Sequence, residues 1–117
     1  MSLKRNSTGK LEIEVQEPLE KIEALEFIFK PKPDHTAPTL LELKFKKDEI
    51  PVKDGTDTTE STTVSIKLKP SETYKLTQGT VYMDTRIVLA DGDIPVTELI
   101  IIDGVEESLF EGVYSND

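Results

Sequence analysis

The run Gly79–Ile102, GTVYMDTRIVLADGDIPVTELIII, decides the fold class. Val81, Met83, Thr85, Ile87 and Leu89 alternate with Tyr82, Asp84, Arg86 and Val88. A period of two places alternate side chains on opposite faces of a strand. Ala90-Asp91-Gly92-Asp93 follows, and Asp-Gly supplies the positive φ that tight hairpin turns need. Ile94, Val96 and Leu99 to Ile102 then read as the returning arm, ended by Asp103-Gly104. Apolar residues on both faces of Ile100-Ile101-Ile102 predict a strand covered on both sides, or one that pairs with another subunit.

The same alternation recurs upstream. Leu11, Ile13 and Val15 form one strand, stopped before Pro18. Leu25, Phe27 and Phe29 form a second, from about Ala24 to Lys30. Leu19, Ile22, Ala24 and Leu25 could also make a helical stripe, but the β-branched and aromatic content after Leu25 favours the strand. Pro31, Pro33 and Pro38 make the next segment a loop. Leu41, Leu43 and Phe45 opposite Glu42, Lys44 and Lys46 describe a half-buried strand. A short edge strand through Ile50 and Val52 is expected, since Pro51 cannot donate to a ladder on both sides. Val64, Ile66 and Leu68 give another strand after the polar loop KDGTDTTESTT. Pro70 and Ser71 open a short connector helix with Glu72 in its first turn, where the helix dipole favours an anion. Residues 1–9 are expected to be a flexible segment, and 10–117 a single domain.

Roughly seven short strands without βαβ alternation describe an all-β protein. The expected architecture is an antiparallel β-sandwich of immunoglobulin-like type, with a small barrel as the alternative. The antibody-type Cys pair and core Trp are missing, since the chain has no cysteine and no tryptophan. A chain of 117 residues buries about 65% of its unfolded surface, so an aliphatic core needs no staple.

The chemistry the sequence offers is sparse. Acidic residues exceed basic ones by 23 − 14 = 9, which opposes binding to phosphate backbones. Lys30, Lys32, Lys44, Lys46 and Lys47 bunch locally, as solvated strand faces also do. No apolar run reaches the roughly 20 residues of a membrane helix, and the start lacks the apolar core of a secretory signal. One histidine and no cysteine leave little for a zinc site or for nucleophilic catalysis. His35 lies in the proline loop and reads as exposed. Asp84 and Arg86 share a strand face and read as a surface charge pair. Asp54, Asp57 and Glu60, and separately Asp91 and Asp93, are the calcium candidates, but neither group has EF-hand spacing. The residues therefore predict no catalytic, metal or cofactor site. Tyr74, Tyr82 and Tyr114 are the aromatic candidates for a sugar platform.

The 46 residues 68–113 carry a resemblance. Ser71-Glu72-Thr73, Gly79, Arg86, Asp91-Gly92, and Val105 through Leu109 to Gly112-Val113 follow one another as they do in a known group. The chain resembles small β-sandwich structural proteins encoded among the tail and baseplate genes of phages and prophages of low-GC Gram-positive bacteria. Ser71-Glu72-Thr73 is one residue tighter than that pattern, and Thr85 stands where an apolar residue is expected. The resemblance implies an immunoglobulin-like domain that packs against other copies of itself and other tail or baseplate proteins. It carries over no catalytic residue, and the charge and hydropathy lead us to expect no nucleic-acid partner and no membrane insertion. The expected location is the virion, after assembly in the bacterial host cytoplasm. A carbohydrate- or cell-surface-binding domain is the alternative.

Overall fold

The computed structural model describes residues 2–53 and 60–113. Six strands make two antiparallel sheets. β1 (Gly9–Val15) pairs with β4 (Thr62–Leu68). β2 (Ile22–Lys30), β3 (Leu41–Lys46), β5 (Gly79–Leu89) and β6 (Ile100–Val105) form a second sheet in the order β3-β2-β5-β6. A four-residue helix, α1 (Pro70–Thr73), joins β4 to β5. Pro70 stands at its first position, and Glu72 Oε1 accepts from the Lys69 N–H at 2.8 Å, which closes its first turn.

Alternation explains why these segments are strands. Leu11, Ile13 and Val15 are buried while Lys10, Glu12 and Glu14 are exposed. Phe27, Phe29, Leu25, Val64, Ile66, Val81, Met83 and Ile102 meet them between the sheets, all at 2% exposure or less. Phe27 meets Phe45 edge to face, with centroids 6.1 Å apart, the arrangement that ring quadrupoles favour.

The topology is that of an immunoglobulin-like sandwich. That fold pairs its strands B and E in one sheet and C, F and G in the other, with a further strand beside C in variable-type domains. Here β1–β4 corresponds to B–E, and β3-β2-β5-β6 to the variable-type second sheet. The chain crosses between sheets after β1, after β3 and after β4.

Two expectations need correction. The strand through Ile50 and Val52 reduces to one bridge, Val52 to Val64, with Pro51 at the edge as its missing N–H requires, so the described residues form six strands and not seven. The hairpin is also looser than its sequence suggests. The turn exists: Gly92 has φ +88°, the Gly92 N–H donates to Leu89 O at 2.8 Å, and the Leu89 N–H donates to Asp93 O at 2.9 Å. The ladder, however, resumes only at Ile100, which pairs with Met83, leaving residues 94–99 as a loop. Asp103-Gly104 does not end the strand. Ile102 to Val105 face Val81 to Gly79, so β6 carries one extra residue, a bulge that Gly104 accommodates at φ +74°.

Within the segment expected to be flexible, residues 3–5 make specific contacts. Leu3 is 3% exposed, Lys4 bridges to Glu106 in parallel, and the Arg5 N–H donates to Glu106 O at 2.9 Å. The Arg5 guanidinium reaches Leu76 O at 2.7 Å, Tyr74 O at 2.8 Å and Glu107 Oε1 at 2.6 Å. Polar content in the sequence hid one buried leucine and one arginine with three acceptors.

Candidate interaction surface

The side chains singled out for chemistry are not assembled into a reaction centre. His35 is 96% exposed at the side chain, and its closest charged neighbour is Asp34 at 3.9 Å. The carboxyl of Asp34 is held below its ordinary range mainly by the Thr36 backbone N–H, which donates at 2.9 Å. His35, Tyr82 and Asp84 do border one depression of about 270 Å³, together with Ile28 and Leu99. Among the described residues no serine, threonine or cysteine lines it.

Asp84 and Arg86 are not a pair. Arg86 reaches across the sheet to Glu26, its register partner on β2. Asp84 Oδ1 accepts from the Thr85 N–H at 2.9 Å. Cross-strand neighbours stand about 5 Å apart, whereas residues two apart on one strand are separated by about 6.6 Å, so Glu26 wins. Asp91 Oδ1 accepts from the Asp93 N–H at 2.9 Å, which is turn chemistry. Asp54 and Asp57 lie outside the described residues, as does Tyr114. Among the described residues no three His, Cys, Asp or Glu side chains group as metal ligands would. Nor is any described helix long and apolar enough to cross a membrane.

The lysine clusters are engaged locally. Lys30 Nζ donates to His35 O at 2.7 Å, Lys47 Nζ to Glu20 O at 2.9 Å, and Lys44 lies 3.0 Å from Glu42. Tyr74 is likewise engaged, because the Arg5 guanidinium sits 4.5 Å from its ring centroid.

What the fold leaves outside is apolar. Ile94, Val96, Leu99 and Ile101 are 54%, 100%, 45% and 54% exposed, within eight residues of chain. Leu109 and Phe110 are 98% and 81% exposed. Ile101 stands on the outer face of the four-stranded sheet opposite Tyr82. Ile102 is buried, so this strand is covered on one face only. Sequence reading anticipated an unusual β6 but not the loop before it. The unmatched feature was Pro95, which interrupts the returning arm.

A second surface lies at the free edge of β1. Glu12, Glu14 and Gln16 form one wall of a cleft of about 530 Å³, and Val96 and Glu98 form the other. Thr85 and Ile87 of β5 also line it. The Thr97 hydroxyl donates to Thr85 O at 2.5 Å, which anchors the loop there. Thr85 is 7% exposed, and its own hydroxyl is buried without a hydrogen-bond partner. Lys53 Nζ, 3.1 Å away, and then Lys10 hold the Glu12 carboxyl below its ordinary range.

No family model matches the chain, and no curated protein does. Among solved structures, the chain is similar to the extracellular portion of mouse CD200RLa, at 14% identity and a TM-score of 0.38. The match covers 92% of this chain and 54% of that one, so the chain spans about half its length. The fold assignment rests on strand order and register.

Proposed function

We propose that this protein is a non-enzymatic assembly module of a phage or prophage tail or baseplate, acting in the virion and binding further copies of itself or neighbouring structural proteins. One observation carries the assembly part. Ile94, Val96, Leu99 and Ile101 remain exposed although the sheets beside them bury apolar residues almost completely. Large apolar residues left exposed this densely along one segment support an interaction role. The phage part is supported by the resemblance of residues 68–113 alone. A glycan-binding reading has less behind it, because the ring of Tyr74 is covered by Arg5.

The test has two arms. Light scattering after size exclusion, over a wide concentration range, reads self-association. Capture by purified tail and baseplate proteins encoded beside it reads hetero-association. A larger species in either arm, lost on changing Val96 and Ile101 to serine, is expected. A monomer at every concentration that captures none of those proteins refutes the proposal.

A further inference from the structure

We infer that the free edge of β1 accepts an extended segment of a partner protein as an added strand, and that this segment alternates apolar residues with lysine or arginine. The inference takes its partner from the assembly reading above, but its geometry stands separately.

Register identifies the free groups. The Lys53 N–H donates to Thr63 O at 2.9 Å and the Ser65 N–H to Pro51 O at 2.8 Å, so Thr63 and Ser65 turn their backbones away from β1. Backbone direction alternates along a strand, so Thr62, Val64, Ile66 and Leu68 turn toward β1. Their partners are Val15, Ile13, Leu11 and Gly9. Lys10, Glu12 and Glu14 therefore direct N–H and C=O outward. Among the described residues no backbone hydrogen bond outside the β1–β4 ladder reaches these three. An unpaired edge of this kind is a template for another strand.

The cleft beside the edge defines what fits. Five residues, Glu12 to Gln16, border it, roughly 16 Å of strand at the usual rise. Val15, Ile87, Val96 and Ile100 supply apolar wall. Glu12, Glu14 and Glu98 line it, and no Lys, Arg or His does. Lys10 and Lys53 partly offset Glu12, whereas among the described residues Glu14 meets the Gln16 amide and no cation. A second copy offering its own β1 would bring Glu12 and Glu14 against their like. A segment with alternate basic residues places charge at the acidic rim and apolar groups inside.

The probe is a synthetic peptide, acetyl-Lys-Val-Lys-Val-Lys-Val-amide, titrated into the full isotope-labelled chain. Shifts and slowed amide exchange at Lys10, Glu12 and Glu14 are expected, weakening as salt is added. The peptide with glutamate for lysine should bind more than about tenfold less well, since like charges oppose association. Glu12→Pro removes an outward N–H without touching the β1–β4 ladder and should abolish binding. Glu98→Lys, on an exposed loop, weakens it even if the proline variant fails to fold. No shift at these three amides at about 1 mM peptide, the weak end of specific binding, overturns the inference. So do shifts confined to Tyr82 and Ile101, or equal binding of the acidic peptide. If the edge stays silent while the chain self-associates or captures tail proteins, the inference falls and the assembly reading stands. If the peptide docks but the chain stays a monomer and captures nothing, the assembly reading falls and the edge remains a binding site.

Discussion

Thr85 allows a prediction whose sign is unusual for a buried position. Its side chain points between the sheets on the face of Met83 and Ile87, opposite Phe27. The hydroxyl is buried and unpartnered. Leaving such a group unmet costs about 1–3 kcal/mol. Thr85→Val replaces it with a methyl of nearly the same shape and keeps the β-branching that suits a strand. Taking the lower end, because close packing leaves little room for adjustment, gives a gain of about 1 kcal/mol. For a chain of this length that is a rise in Tm of about 4 °C. Thr85→Ser keeps the hydroxyl and deletes the methyl, so it should cost about 1 kcal/mol. Thermal unfolding by circular dichroism, with urea midpoints as a check, measures both. If valine lowers the Tm and serine leaves it unchanged, the hydroxyl is satisfied in solution and the reasoning fails.

Gly92→Val should destabilise by about 1–2 kcal/mol through backbone strain alone, because φ is +88° and a Cβ would meet nothing within 4 Å. Unchanged melting would mean the turn lies elsewhere. Arg5→Met should cost about 2–4 kcal/mol by stranding Leu76 O and Tyr74 O, read from the urea midpoint, whereas a merely exposed arginine would cost under about 0.5 kcal/mol. Glu107 sits below its ordinary value near 4.5, chiefly through Arg5 and then the Ser108 N–H, and Glu12 does so through Lys53 and Lys10. Carboxyls depressed on folding add stability above the unfolded value and lose it as pH falls through the folded one. Stability should therefore decline below about pH 4.5, and less steeply in Glu107→Gln; identical acid profiles for the two proteins would contradict this.

Alternation made five of the six strands legible, because each buries one face only. Leu11, Ile13 and Val15 are the clearest case, and their burial follows the sequence residue by residue. Pairing was less legible. Period-two patterning says which face is buried but not which strand lies beside it, so Arg86 looked to Asp84 along its own strand when its partner was Glu26 across the sheet. The returning arm misled for a related reason. Ile94 and Val96 have strand-like spacing, yet nothing covers them, and spacing alone carries no information about cover. The cleft at β1 was invisible because it is made by backbone direction and by a loop distant in sequence. Leu3 and Arg5 were missed because a single apolar residue among polar neighbours has no period.

The strand order also sets a timetable. β1 waits for β4, whose pairing begins at Gly9 with Leu68, and the centre of β2 waits for β5, with Phe27 opposite Thr85. Only the β2–β3 hairpin and the β5–β6 pair close between neighbours in sequence. Long loops must close before those ladders return any energy, so the chain belongs with the slow folders, in the range of milliseconds to seconds. Throughout that interval β2 can hold its hairpin partner while β1 has none. A nascent copy thus exposes two free edges on β1 where the finished domain exposes one.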